Sequence, residues 1–403
     1  MHGMPVNVNI GNTIFFDNMK RSILFLFVLL MVSTQIRVHA EYKWYGPWDA
    51  GYQVVNGLAF PRECIGQYQR IGNMHKSEIP DYVWWNSLHS AGLSLRFVTH
   101  SPEIMVRYTC SSHRYAMPHM PSTGVSGIDL YAHDSKGNEL LCHGSYSFGD
   151  TVKYTYGPIA YHDSQREEYE YELFFPMYNS VTWMEIGVPE EYAFRFVEAD
   201  KRKPIVVYGT SIAHGGCASR PAMAWTNIVK RDLDLPLINW GFSGSGRLDA
   251  SMFELMGKVD ACLYVIDCMP NMTRFTSEEI VDRLVKGIHI LRAKSNAPIL
   301  VVEHDGYNDD QTNENSWKDI IRRNVACKQG YDQLKKEGVK GLYYLSKSDI
   351  NMDPEGMVDG IHSTDLGMMC YAKAYVPKIR KILGMKKKRQ IGHNHRLPQL
   401  KEK

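Results

Sequence analysis

The sequence has no excess of either charge. Its 46 Lys and Arg stand against 44 Asp and Glu, for a formal net charge of +2. It therefore lacks the basic bias that marks a nucleic-acid surface and the acidic runs of a solvating tail, and no nucleic-acid partner is expected. Cysteine is sparse: Cys64, Cys110, Cys142, Cys217, Cys262, Cys268, Cys327 and Cys370 are scattered, with no CxxC pair and no clustered ligand spacing. This excludes a sequence-encoded zinc module, and a chain of 403 residues can bury its own core without a disulfide framework. Mostly buried free thiols are expected, with one or two bridges left open. HExxH and EF-hand patterns are missing. So is a P-loop, because "GTSIAHGG" is not followed by Gly-Lys-Ser/Thr. There is no GxSxG, which excludes the ordinary α/β-hydrolase elbow. "GFSGSG" spaces Gly241, Gly244 and Gly246 as GxxGxG rather than GxGxxG, and it follows a second strand rather than a first, which argues against a dinucleotide fold. No metal and no organic cofactor is expected.

Long apolar runs are nearly absent as well. The exception is "SILFLFVLLMV" near the start, preceded by Met19-Lys20-Arg21 and followed by "STQIRVHA". The run is shorter than the ~20 residues that span a bilayer. A positive n-region, a short h-region and a Val38-x-Ala40 cleavage pattern read as a secretory signal over residues 19–40. Residues 1–40 are thus an upstream segment plus signal, translation is expected to start at Met19, and cleavage near Ala40 would release an exported protein, periplasmic or extracellular, with no stable membrane partner. An uncleaved membrane anchor is the alternative.

Two periodicities follow. From residue 41 to about 200 the pattern alternates, in "LSLRFVTH", "EIMVRYTC", "GIDLYAHD", "VKYTYG", "YELFFP" and "SVTWMEIGV", with turn residues between. Short strands at this spacing predict an antiparallel β-sandwich of jelly-roll type. From 203 to 385, apolar strands alternate with amphipathic helices in five β–α units: "PIVVYG", "LPLINW", "ACLYVID", "APILVVEH" and "GLYYLS" each lead towards a helical stretch. That is an α/β pattern, and it predicts a parallel sheet between helices in a flavodoxin-like three-layer domain. The tail, residues 386–403, is basic, has no apolar period and is expected to be disordered.

In such a sheet, ligands bind beyond the carboxyl ends of the strands. There the sequence supplies Ser211, Gly244, Asn271, and Asp359 three residues before His362. Taken singly, each has a bland role: a strand terminator, a loop glycine, a turn residue, a helix cap. Together they supply what acyl transfer from a serine requires: Ser211 as nucleophile, His362 as base, Asp359 to orient it, and the Ser211 and Gly244 N–H groups with the Asn271 amide as oxyanion donors. Arg220, Arg247 and His214 lie near these loops and are candidate substrate contacts. Trp44, Trp48, Trp84 and Trp85 can stack on sugar rings or pack in the β-core.

These blocks, "GTSI", "NWGFSG", "DCMPN" and "DGIH", resemble those of the SGNH (GDSL-type) hydrolases, and "GIDLY" at 127–131 resembles the GxDLY motif of a subgroup with a β-domain in front. The likeness covers nearly all of the chain after the signal. Thr210 stands where the commonest family pattern has Asp, and "CMPNM" replaces Gly-x-Asn-Asp. The resemblance implies a serine esterase for short acyl, often acetyl, esters on carbohydrates, with a small-molecule or polysaccharide ester as substrate. The alternatives are a lipid or thioester acylhydrolase, and a carbohydrate-binding protein on a non-catalytic scaffold. Oligomeric state is not legible.

Overall fold

The computed structural model describes residues 41–134, 137–159 and 169–386. The expected upstream segment and signal (1–40), and all of the expected tail (386–403) but its first residue, lie outside the described residues. In the first half, strands Val181–Pro189, Ile104–Cys110, Val152–Tyr156 and Gly144–Ser147 are neighbours in one antiparallel sheet. A second sheet runs in the order Phe194–Phe196, Ser94–Thr99, Tyr169–Phe174, Asp129–His133, Glu139–Cys142. The alternation seen in the sequence is the inward and outward alternation of these strands. Ile104, Val106 and Tyr108 are buried while Met105 and Arg107 are more exposed. One apolar cluster joins inward residues of both sheets, among them Val106, Tyr108, Leu95, Phe97, Leu130 and Leu173, so the sheets close as a sandwich.

The second half is a five-stranded parallel sheet. Its strands are Ile205–Gly209, Leu237–Gly241, Leu263–Asp267, Ile299–Val302 and Leu342–Leu345. In space the second strand comes first, then the first, third, fourth and fifth. This is the flavodoxin-like order, whose switch point lies between the first and third strands. The first four strands are buried at every residue, which explains their unbroken apolar runs. Helices Trp225–Leu233, Ala250–Met256, Ser277–Lys294, Glu314–Lys336 and Asp365–Leu383 follow the five strands in turn. The third is typical: Thr276 and Glu279 close a capping box at its start, and Ile280, Leu284, Ile288 and Leu291 form its buried stripe.

Two local features depart from the sequence reading. A helix, Asp81–Ser87, interrupts the β-rich half. The stretch after Gly209, which reads as a loop, is one helical turn, Ser211–His214, because the Thr210 hydroxyl accepts from the Ile212 N–H and Gly215, at φ +115°, ends it. The eight cysteines are all free thiols.

The halves interlock through buried polar groups. Lys230, on the first helix of the α/β half, reaches the Glu172 carboxylate and, at 2.6 Å, the Ser94 hydroxyl on the second β-sheet. Arg70 is fully buried and donates to the carbonyls of His89, Asn86, Asn239 and Gly241. From Trp44 onwards the chain is one compact unit. No helix among the described residues is long and apolar enough to cross a membrane.

Candidate active site

The carboxyl ends of the first three strands and the loop before the last helix meet at one point. Ser211 sits on the first helical turn after the first strand, and its side chain is almost buried. Its Oγ lies 2.8 Å from His362 Nε2. His362 Nδ1 lies 2.7 Å from Asp359 Oδ2, while Asp359 Oδ1 accepts from the His362 and Ile361 backbone N–H groups at 2.9 and 3.3 Å. The loop carrying this pair is closed by backbone bonds from Val358 to His362 and from Thr364 to Gly356, both 2.8 Å. Burial works to raise the Asp359 carboxyl, but the ring and backbone donors of His362 outweigh it and hold the group below the usual carboxylate range. An ionised Asp359 fixes Nδ1 as the protonated nitrogen of His362 and leaves Nε2 to accept from Ser211.

The donor side is built as carefully. No other group among the described residues takes the backbone N–H of Ser211 or of Gly244. Gly244 adopts φ +65°, and a Cβ there would meet nothing within 4 Å, so this backbone faces open space. The Asn271 amide is assigned with its oxygen towards the Ser245 and Gly246 N–H groups, at 3.0 Å each, because the reverse orientation would set its NH₂ against two donors; this assignment leaves the NH₂ as a donor on the opposite side. Gly246 has no room for a side chain, because a Cβ would stand 2.1 Å from the Gly209 carbonyl oxygen. Close approach of this loop to the first strand is what brings Gly244 and Ser211 into the same neighbourhood.

Each of the three candidate substrate contacts is held by partners within the protein. Arg220 donates to Asp129 at 3.1 Å and to the Tyr131 hydroxyl at 2.9 Å. Asp129 also accepts from the Ala222 N–H at 2.8 Å. The Asp and Tyr of the GxDLY motif therefore clamp the segment that follows Ser211. Ser219, next to Arg220, is tied to Asp365 of the last helix by bonds of 2.6 and 2.8 Å. Arg247 lies over the Tyr82 ring and holds the Gly244 carbonyl at 2.8 Å, so it steadies the Gly244 loop. His214 is fully buried: Nε2 donates to the Met177 carbonyl at 2.7 Å, and the ring stacks on Tyr178 at 4.2 Å. Burial and the nearby Arg70 charge keep His214 neutral, well below the ordinary histidine range. It forms part of the floor under Ser211, since the Tyr178 hydroxyl donates to the Ser211 carbonyl at 3.2 Å.

Two residues near the site gave no signal in the sequence, and neither is assigned a part in the chemistry. Arg70 grips the end of the second strand just before the oxyanion loop and gives no local motif. His119, in "MPHMP", stands beside His362 with ring centroids 5.8 Å apart. Of the four tryptophans, Trp84 is buried, Trp48 packs on Tyr68, Trp44 is covered by the Arg107 guanidinium at 3.7 Å, and Trp85 is exposed. Trp85 shares the Asp81–Ser87 helix with Tyr82 and with Asn86, whose amide binds the Ser243 carbonyl and the Ser245 hydroxyl at 3.2 Å each.

Comparison with known proteins gives a consistent outcome. Residues 202–380 match the GDSL-like lipase/acylhydrolase family, and residues 42–194 match the GxDLY domain, described as the N-terminus of Esterase_SGNH_hydro-type. A candidate GDSL-like lipase from Bacteroides ovatus aligns over 86% of this chain and 100% of its own, at 30% identity and a TM-score of 0.77. The salicylyl-acyltransferase SsfX3 of a tetracycline biosynthetic pathway aligns over 85% and 97%, at 17% identity and TM-score 0.65. A family two carbohydrate esterase from Cellvibrio japonicus aligns over 85% and 98%, at 13% identity and TM-score 0.51. The last two share the fold. No curated protein matches.

Proposed function

The chain belongs to the GDSL-like lipase/acylhydrolase family and is an esterase, and we propose that it removes short acyl groups, acetyl above all, from carbohydrate esters by a Ser211–His362–Asp359 mechanism. The observation that carries this reading is the unbroken hydrogen-bonded line Asp359–His362–Ser211, at 2.7 and 2.8 Å, ending beside free backbone donors. His362 Nε2 takes the Ser211 proton as Oγ attacks the ester carbonyl. The N–H groups of Ser211 and Gly244 and the Asn271 amide receive the oxyanion. The alkoxide leaves with the proton from His362, and water activated by the same nitrogen then hydrolyses the acyl-enzyme.

The sugar assignment draws on a different feature. Tyr82 and Trp85 lie three residues apart on an exposed helix face, and Tyr82 is linked through Arg247 to Gly244. An exposed aromatic pair next to the oxyanion loop suits stacking on a pyranose ring. The carbohydrate-esterase neighbour is a further reason to test sugars first. We also infer export after cleavage near Ala40; the secreted protein should begin at Glu41 by N-terminal sequencing.

The experiment is release of acetate from acetylated xylan and acetylated cello-oligosaccharides, beside p-nitrophenyl esters of two to twelve acyl carbons. The proposal expects acetate release from the glycans and rates that fall with acyl length. Preference for long acyl chains, with no glycan deacetylation, would replace it with a lipid acylhydrolase.

A further inference from the structure

His119, Cys217 and His362 come from three separate segments, yet one ring nitrogen of each histidine and the Cys217 sulfur all lie within 4.8 Å of one another. The arrangement is held by the fold. His119 is on a turn in which Met117 and Met120 exchange backbone bonds of 2.9 and 3.1 Å, and Met120 is buried. Cys217 donates its backbone N–H to the carbonyl of Ser363, the residue after His362, at 3.2 Å. Its thiol is buried, whereas His119 is exposed and open to solvent.

We propose that His119, Cys217 and His362 form a reversible inhibitory site for a borderline-soft divalent ion, zinc in particular, which stops the esterase by capturing its base. The donor set selects the ion: two imidazoles and a thiolate favour zinc over magnesium or calcium, which take oxygen. Zinc–nitrogen and zinc–sulfur bonds of about 2.1 and 2.3 Å put tetrahedral ligand atoms about 3.4–3.6 Å apart. A swing of the exposed His119 ring and a small shift of Cys217 would close the set, with water in the fourth position. On binding, the Cys217 S–H gives its proton to solvent as the sulfur–metal bond forms, and each histidine donates a nitrogen lone pair. No electron is transferred. Both nitrogens of His362 are already engaged, Nδ1 with Asp359 and Nε2 with Ser211. Whichever nitrogen the ion takes, one arm of the relay is broken.

Inhibition rests on the reading of His362 as base, but occupancy of the site does not, so the test reads both. Cobalt(II) is added to the full chain and the thiolate-to-metal charge-transfer absorption recorded; zinc chloride is titrated against p-nitrophenyl acetate hydrolysis and reversed with EDTA. The expected result is a charge-transfer band that disappears in Cys217→Ser, and zinc inhibition that EDTA reverses. Cys217→Ser and His119→Ala should each raise the half-inhibiting zinc concentration by at least about tenfold, with zinc-free rates within about twofold of the parent. Absence of the band, or inhibition of both variants at the parent's zinc concentration, overturns the proposal. A band without any esterase activity would instead overturn the mechanism and leave the metal site standing.

Discussion

Glu172→Gln should destabilise the fold strongly, away from the active site. Glu172 and Lys230 are both nearly buried, and they join the second β-sheet to the first helix of the α/β half, with Ser94 bridging them. Burial would raise the Glu172 carboxyl, but the Lys230 charge and hydrogen bond outweigh it and bring the group from 4.5 down to about 2. At about 1.4 kcal/mol per pH unit this difference is worth about 3 kcal/mol. It agrees with the 3–5 kcal/mol typically lost when one partner of a buried pair is removed and the other stays buried. Because the folded value lies below the unfolded one, the contribution is complete above pH 4.5 and is lost as pH falls towards 2. Urea unfolding of parent and variant should therefore differ by about 3 kcal/mol at pH 7 and by less than about half of that at pH 3. The double change Glu172→Leu with Lys230→Met should regain most of the loss, because no buried charge is left unpaired. A single-variant loss below about 1 kcal/mol, or the same loss at both pH values, would refute the reasoning.

Other substitutions probe the site directly. Asn271→Ala should lower kcat by about 10²–10³ with little change in KM, the usual effect of losing one oxyanion donor; a near-normal kcat would remove Asn271 from the hole. Gly246→Ala, whose Cβ would meet the Gly209 carbonyl at 2.1 Å, should cost about 1–3 kcal/mol in unfolding measurements and most of the activity, whereas an unchanged protein would mean that the loop can retreat. Arg220→Lys keeps the charge but replaces the rigid, planar Nη1 group that donates to both Asp129 and Tyr131, so kcat should fall with KM nearly constant; steady-state kinetics showing a rise in KM alone would make Arg220 a substrate contact after all. Burial raises Asp267 from 3.8 to about 7 although the Tyr375 hydroxyl donates to it, so stability is lost as pH rises from about 4 through 7. Asp267→Asn should accordingly stabilise the protein at pH 8 by a few kcal/mol, and much less at pH 4; equal effects at the two values would contradict the burial account.

How much was legible in advance followed the range of the interaction. Strand periodicity and the β–α alternation are local, and they gave both sheet types and the site loops after the first, second and third strands. Ser211, Asp359 and His362 could be singled out as candidates because each sits at a carboxyl strand end or just before a helix, where side-chain type and chain position constrain each other. Side-chain direction was not legible. Arg220 and Arg247 lie on the right loops, but Asp129, Tyr131 and the Gly244 carbonyl, distant or backbone partners, turn them into braces. His214 is one turn after Ser211 and is a candidate substrate contact by sequence, yet the Met177 carbonyl and the Tyr178 ring cover it. Arg70 and His119 gave no signal, because Asn239 and Gly241 for the one and His362 for the other lie far from them in sequence, in the other half of the chain. The His119–Cys217–His362 cluster was invisible for the same reason: no ligand spacing exists in the sequence, and three segments assemble it.

The most direct test of the central claim is hydrolysis of p-nitrophenyl acetate by the parent protein and by Ser211→Ala, at equal concentration and with the fold of each verified by circular dichroism. The account predicts a variant rate lower by at least about 10³-fold, because the hydroxyl 2.8 Å from His362 Nε2 is the attacking group. Equal rates in the two proteins would contradict it and leave Ser211 as no more than the cap of a strand.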